Sequence, residues 1–221
     1  MLCYYKIYEH VKLLLGISKG EISIKKKIII ICTLIIAVLV IVIGIVIHSS
    51  GRKNSVKQAL GIESNSNLKI IHEEPTAQGS IVFMSNTDNS NKYLSTAFVS
   101  ENIFGYKDLY SGISSLEGLD RIDLTAQYFP AIKKTSLPIY FGVILNDKIE
   151  KVSVKRNNNS EIKDAKIIET DDYRIWLVYM NGFQGTKFDI LGYSNDGSEL
   201  YKFEDTIPEN AVQKPLKSPY E

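Results

Sequence analysis

Apolar positions follow two different patterns along the chain, and the first is a continuous run. Residues 28–47 ("IIIICTLIIAVLVIVIGIVI") contain no charged side chain. A helix of this length, rising about 1.5 Å per residue, spans roughly 30 Å, which is the thickness of a bilayer's hydrocarbon core. In lipid every backbone polar group must be bonded within the segment, and a helix achieves this. We therefore predict a transmembrane helix at 28–47, with membrane lipid as its partner.

A cleavable export signal is the alternative for the same stretch. Its apolar core is shorter, roughly 7–15 residues, and ends in a small-x-small cleavage site. Ser49-Ser50-Gly51 supplies small residues, so this alternative stays open. The full spanning length and the 27 residues that precede the run favour an anchor that is retained.

From residue 68 onward the apolar period changes to two, which is typical of strands. The segments concerned are rich in Val, Ile, Tyr and Phe and are separated by turn residues. The predicted strands are 68–72, 80–84, 93–99, 103–110, 122–129, 139–145, 150–155, 165–169, 173–180, 187–193 and 199–203. Closely spaced strands with little helix predict a mainly β fold, either an antiparallel β-sandwich or a curled sheet with short helices.

Local signals complete the predicted organisation. A short helix from Val56 to Leu60 stops at Gly61, and a capping box at 114–117 opens a second short helix. Asp196-Gly197 is the strongest hairpin signal in the chain. The predicted parts are a cytoplasmic segment 1–27, the helix 28–47, a linker with a short helix 48–67, an extracytoplasmic β-rich domain 68–204 and a disordered tail 205–221.

Trp176 lies in the strand with the most apolar pattern. Tyr173, Ile175, Leu177 and Tyr179 alternate with Arg174, Trp176, Val178 and Met180, so both faces of this strand are largely apolar. A strand of this kind is expected to be central and covered on both sides. We predict that Trp176 anchors the core of the second half of the domain rather than a binding surface.

The distribution of charge predicts the orientation. Residues 1–27 carry six lysines and two glutamates, a net charge of +4, and only Arg52, Lys53 and Lys57 lie close to the other end of the run. The excess of positive charge places the N-terminus in the cytoplasm. Because the whole chain is +1 and 28–47 is uncharged, residues 48–221 carry −3. Such a domain has no electrostatic footprint for nucleic acid.

Cysteine usage points to a bacterial envelope. Cys3 and Cys32 are the only cysteines, so the exported part has none, whereas small extracellular domains of animals usually carry disulfides. The segments "ALGIESNSNLKIIHEE", "PIYFGVILNDKIEKVSV" and "YRIWLVYMNGFQGTKFDILGYSNDGSELYKF" resemble parts of small, uncharacterised single-pass proteins of Bacillus-type Gram-positive bacteria. The resemblance implies an exported β-rich domain on the cell membrane and implies no activity.

Catalytic chemistry has few candidates in the predicted outer part. His48 and His72 are its only histidines, so a metal site has too few ligands and a Ser–His–Asp arrangement would need His72. We expect His72, which precedes Glu73-Glu74, to be a solvated strand end that shares a face with Glu74. Glu117, Asp120 and Asp123 would line one face of the second short helix, and paired carboxylates can hydrolyse glycosides. We predict no catalytic residue, no metal and no cofactor.

Two classes of function remain. The first is a non-catalytic, membrane-anchored domain that binds a protein, a peptide or a cell-wall component. Its ten outer tyrosines suit peptide or sugar binding wherever a ring is exposed, although strand tyrosines more often pack. The alternative is an envelope hydrolase that uses the three carboxylates, which requires them to line a cleft.

Overall fold

The chain divides into two compact units, each described by itself. A computed structural model describes residues 24–50, 52–62, 66–87, 92–103, 105–119, 122–157, 161–183 and 185–208. The first unit is Met1–Gly51 and the second is Arg52–Glu221. The predicted cytoplasmic segment lies outside the described residues up to position 23, and so does the predicted tail from 209 to 221.

The first unit contains helix α1, Ile24–Ser50, which includes the whole uncharged run. Its side chains are described from 29 to 45, and all of them are exposed. Within the residues that are described in full, no helix combines the length and the apolar character needed to cross a membrane.

The second unit is mainly β, as predicted, with antiparallel sheets and little helix. The helix α2 spans Val56–Ala59, close to its predicted position. The strands are β1 Leu68–Thr76, β2 Gly79–Asn86, β3 Tyr93–Asn102, β4 Gly105–Ser115, β5 Gln127–Phe129, β6 Ile139–Ile144, β7 Lys151–Arg156, β8 Ile162–Asp164, β9 Lys166–Glu169, β10 Arg174–Tyr179, β11 Lys187–Tyr193 and β12 Glu199–Thr206.

The twelve strands form three four-stranded sheets. Sheet 1 is a meander in the order β1-β2-β3-β4, sheet 2 has the order β5-β6-β10-β9, and sheet 3 has the order β12-β11-β7-β8. The chain crosses from sheet 3 to sheet 2 at Ala165, whose N–H donates to the carbonyl of Val152 at 2.8 Å. This single residue between β8 and β9 therefore forms a corner between two sheets.

Sheet 2 is covered on both faces because its strands bury apolar side chains in both directions. One face packs against sheet 1, where Phe83 and Phe98 meet Phe141. The other face packs against sheet 3, where Tyr140 and Trp176 belong to the same cluster as Phe188. The fold is thus a stack of three sheets, one layer more than a simple sandwich.

Trp176 has the predicted position. Its side chain is fully buried in the strand next to the edge of sheet 2, with Ile175 and Leu177 facing the opposite cluster. The indole Nε1–H donates to the carbonyl of Thr125 at 2.8 Å, and the ring stacks on Tyr140 at 6.0 Å between centroids. Gly142 is the partner of Trp176 across the strands, and a Cβ there would come within 1.9 Å of the Thr125 carbonyl.

The predicted second short helix is wrong. β4 continues to Ser115, which pairs with Tyr93 of β3, and Glu117 and Gly118 form a turn. The Ser115 hydroxyl oxygen accepts a hydrogen bond from the N–H of Glu117 at 3.3 Å, so it stabilises a turn rather than a helix start. Gly118 has a φ of 69°, a left-handed conformation that ends regular structure.

Other boundaries also differ from the sequence-based ones. The predicted strand 122–129 is reduced to β5, with Leu124 forming an isolated bridge to Ile144. β8 was not predicted. β12 runs to Thr206 and Ile207 is buried, so the folded unit extends beyond residue 204. At the other end Val56 and Ala59 pack on the outer face of sheet 1, so part of the predicted linker belongs to the fold.

Candidate functional site

A groove on the outer face of sheet 3 is the candidate site. It has a volume of about 550 Å³ and is formed by β7, β8 and the β11–β12 hairpin. We call it the sheet 3 groove, and the residues that matter for its chemistry are Glu150, Lys151, Ile162, Asp164, Tyr193 and Asn195. Its volume lies within the roughly 300–1,000 Å³ that is usual for sites of small ligands.

Strand alternation explains why polar side chains reach this face. Val152 and Val154 of β7 point into the core between sheets 2 and 3, so Lys151 and Ser153 point the other way. The register then sets Lys151 opposite Tyr193 of β11, and Ser153 opposite Asp164 of β8. Residues from three strands therefore meet on one surface.

The hairpin predicted from Asp196-Gly197 is confirmed, and it forms one wall of the groove. Gly197 adopts a φ of 85°, which the tight turn requires. The Asp196 carboxylate accepts hydrogen bonds from the N–H of Ser198 at 3.0 Å and from the Ser194 hydroxyl. The bonds from Ser194 and Ser198 lower the pKa of Asp196 to about 2. The Asp196 carboxylate thus stabilises its own turn.

Asp164 organises the floor of the groove. Its carboxylate lies 2.9 Å from the Lys151 ammonium and accepts a hydrogen bond from the Ser153 hydroxyl at 2.7 Å. The contacts with Lys151 and then Ser153 lower its pKa, so Asp164 is ionised at neutral pH. More than half of the side chain of Asp164, and of Lys151, stays exposed, at 58% and 53%. Both groups can therefore reach a ligand.

The rim carries a further carboxylate and two side chains that are not committed to other contacts. Glu150 is 52% exposed and lies 3.5 Å from the Arg174 guanidinium, which is also bonded to Glu169 at 3.0 Å. Within the described part of the chain, neither the hydroxyl of Tyr193 nor the side-chain amide of Asn195 has a hydrogen-bond partner. The groove thus offers donors and acceptors that the fold itself does not use.

The same geometry does not build a nucleophile. Ser153 is fully buried, and its hydroxyl donates to Asp164, whose lowered pKa makes this carboxylate a weak base for removing the proton. The side chain of Lys151 is paired with Asp164 at 2.9 Å. The arrangement is suited to recognition by hydrogen bonding.

His72 and Glu74 lie elsewhere, at the boundary between sheets 1 and 2. As predicted they share a face, with Nε2 of His72 3.2 Å from Oε2 of Glu74. His72 is not a strand end, because β1 continues to Thr76. The Lys166 ammonium contacts both Glu74 oxygens at 2.7 Å. No group of three possible metal ligands occurs among the residues that the structure describes.

A second ion pair continues this boundary. Asp172, in the loop between β9 and β10, accepts hydrogen bonds from Lys69 at 2.8 Å and from Ser85 at 2.5 Å.

The contacts of Glu74 also change its pKa. Burial alone would raise the pKa of Glu74, but the hydrogen bonds from Lys166 and His72 outweigh the effect of burial and the pKa is lowered. We define the inter-sheet ion pairs as Lys69–Asp172 and Glu74–Lys166. They join sheet 1 to sheet 2 and have a structural role.

Glu117 and Asp123, two of the three carboxylates predicted to line one helical face, do not lie in a helix. Glu117 lies in the turn after β4, and Asp123 accepts a hydrogen bond from the Asn146 amide at 2.9 Å. Asp120 lies outside the described residues. The residues around these positions that are described are not helical, so no common helical face presents them.

Comparisons with known proteins leave the chain without an assigned family. No family model matches it, and neither a curated protein nor a solved structure is similar to it beyond chance. The resemblance to single-pass bacterial proteins therefore stays a prediction.

Proposed function

We propose that the protein is anchored in the cell membrane by α1, with its N-terminus in the cytoplasm, and that its β-rich unit binds a ligand outside. The ligand would be a protein, a peptide or a cell-wall component, held in the sheet 3 groove without catalysis. The anchor and the binding site rest on separate observations and have separate tests.

The sequence supports the anchor. Residues 28–47 are uncharged over a spanning length, and the lysines are concentrated on the N-terminal side. The observed α1 includes this run, and its large apolar side chains between Ile29 and Ile45 are 39–63% exposed. A helix that is apolar all round needs an apolar environment to cover it.

A reporter that is active only outside the cytoplasm tests this topology when it is fused after Glu221. We expect activity, and we expect protease added to wall-stripped cells to remove the β-rich unit. An inactive reporter, or a mature protein that begins near Arg52, would contradict the anchored arrangement.

The presence of uncommitted polar groups in a concave surface carries the binding proposal. Asn195 and Tyr193 have no partner among the described residues although both line the groove. Asp164 and Lys151 are fixed by each other but remain more than half exposed. Polar side chains that are held in position and line a concave surface together are typical of a ligand site.

Hydrogen exchange measured on the full chain in detergent tests this site directly. We would add separated envelope fractions, namely wall fragments, wall-derived peptides and exported proteins. We expect one fraction to slow amide exchange in β7, β8 and the 194–198 hairpin. If every fraction leaves exchange there unchanged while exchange elsewhere responds, the groove is not the binding surface.

An envelope hydrolase is not proposed. Glu117 and Asp123, two of its three predicted carboxylates, do not lie in a helix, so no helical face presents them together.

A further inference from the structure

We infer that the sheet 3 groove binds a short oligosaccharide that is uncharged or carries amines, and that it excludes anionic saccharides. This inference rests on the proposed binding function and narrows its ligand to one chemical class. Four properties of the groove support it, namely hydrogen-bonding capacity, apolar surface, charge and the length of the adjacent strand edge.

The first property is a mixture of donors and acceptors. Saccharide hydroxyls both donate and accept hydrogen bonds, so they need partners of both kinds. The Asn195 amide and the Tyr193 hydroxyl each donate and accept, and Asp164 and Glu150 accept. All four line the same groove. Asp164 is held in place by Lys151 and Ser153, so its position is set before a ligand arrives.

The second property is the small apolar surface beside these polar groups. Ile162 is 46% exposed in the groove, and the Tyr193 ring lies on the same surface. A sugar ring has C–H faces as well as a hydroxyl rim, and an aromatic ring with a polar tip suits both. A wholly apolar ligand would leave the carboxylates without solvent or partners, which is costly.

Charge then selects among saccharides. The groove holds two carboxylates, from Glu150 and Asp164, against the one ammonium of Lys151, which is already paired. An anionic ligand would meet an excess of like charge, whereas an amine would be attracted. Arg174 does not remove this excess, because its side chain is 21% exposed and its one positive charge is shared between Glu150 at 3.5 Å and Glu169 at 3.0 Å.

The adjacent strand edge argues against a peptide. Peptides that bind at the side of a sheet add a strand to an exposed edge and are held by backbone hydrogen bonds. The edge next to the groove is β8, which has three residues before the chain turns at Ala165 into sheet 2. The β8 edge is too short for a peptide to pair with it as an added strand, so side chains must recognise the ligand.

Binding of defined tetrasaccharides to the full chain in detergent tests the inference by ligand-observed NMR and calorimetry. The probes are an N-acetylglucosamine tetramer, its deacetylated amine form and a galacturonate tetramer. We expect the first two to bind and the anionic one not to bind. Asn195→Ala should weaken both by about tenfold, because ligand hydrogen bonds are lost.

Two further variants separate specific binding from general effects. Asp164→Asn keeps an acceptor but removes the charge, so it should weaken the amine form by about tenfold and the neutral form less. Asn181→Ala is the matched control, since Asn181 is an exposed turn residue whose side chain does not line the groove. It should change neither affinity, and the fluorescence of Trp176 should be unchanged in all variants.

The outcomes distinguish the two proposals. If no uncharged or amine-bearing saccharide binds, but peptides or exported proteins slow exchange in the groove, the saccharide inference is overturned and the binding function stands. If neither saccharides nor envelope fractions act on the groove, both are overturned. Equal binding of the galacturonate tetramer, or equal loss in Asn181→Ala, would also overturn the inference.

Discussion

Sheet 2 and the outer face of sheet 3 are built from similar alternating strands, but they differ in what covers them. In sheet 2 both faces are packed, and Tyr140, Phe141 and Trp176 are fully buried. On the outer face of sheet 3, Lys151 and Asp164 stay more than half exposed. Packing fixes the side chains of the first region, whereas an ion pair and a hydrogen bond to Asp164 hold those of the second. Stability and binding should therefore be separable by mutation.

The largest effect on stability is expected from Trp176→Ala. Truncating a buried aromatic residue costs about 3–5 kcal/mol, and domains of this size are stable by about 5–15 kcal/mol. The variant also leaves the Thr125 carbonyl without the 2.8 Å hydrogen bond from the indole. Urea-dependent proteolysis of the full chain should show loss of most of the stability of the β-rich unit.

Trp176→Phe is the matched control, because it retains a ring against Tyr140 and removes the indole N–H. It should lose clearly less stability than the alanine variant. If Trp176→Ala melts within a degree or two of the unmodified protein, the central position of sheet 2 in the stack is not what stabilises the fold.

The burial of Trp176 could be predicted because packing leaves a periodic trace in the sequence. Residues 173–180 alternate with apolar side chains on both faces, and only a strand covered on both sides tolerates that. The number of layers left no such trace. It depends on where the chain changes sheet, and at one such place the single alanine between β8 and β9, Ala165, gives no turn signal.

An intermediate loss of stability is expected when one of the inter-sheet ion pairs is broken. These pairs are less buried than the core of sheet 2 and less exposed than the outer face of sheet 3. Glu74 is 11% exposed and bonded by both Lys166 and His72. Glu74→Gln should cost about 1–3 kcal/mol at neutral pH, because charged hydrogen bonds to a largely buried group are lost. Denaturant midpoints followed by Trp176 fluorescence measure this, since Trp176 is the only tryptophan.

The pH dependence of this loss has a definite sign. The folded pKa of Glu74 is lowered from its ordinary value of 4.5, so its ionised form stabilises the folded state. The difference between the unmodified protein and Glu74→Gln should be fully present above about that value and vanish as the pH falls through the lowered pKa. Glu204→Gln is the control, because its pair with Lys187 is 3.8 Å long and half exposed. It should cost at most about 1 kcal/mol. A difference that persists in strong acid would show that the effect is not ionic.

The groove could not be predicted as the core was, and its residues show why. Glu150, Asp164 and Asn195 come from separate strands and a turn, and each is an ordinary polar residue of a solvent-facing position. Alternation along β7 sets Lys151 on the outer face, but it does not indicate that Tyr193 lies opposite it. That pairing follows from strand order, which local patterns do not encode. The alternative group offered by the sequence, Glu117, Asp120 and Asp123, depended on helical spacing, and residues 114–119 are not helical.

The smallest stability effect is expected in the groove itself, from Asp164→Asn. The side chains of Asp164 and Lys151, which form an ion pair, are both more than half exposed. Ion pairs of this kind contribute about 0–1 kcal/mol to stability. Asparagine still offers an oxygen to the buried Ser153 hydroxyl, so that bond can be retained. The denaturant midpoint should therefore stay close to that of the unmodified protein, far from the loss expected of Trp176→Ala. A loss of several kcal/mol would mean that Asp164 holds β8 in sheet 3 and that its exposure is incidental. A midpoint that hardly moves, together with a tenfold loss for the amine-bearing saccharide, would show that this face is maintained for a ligand rather than for the fold.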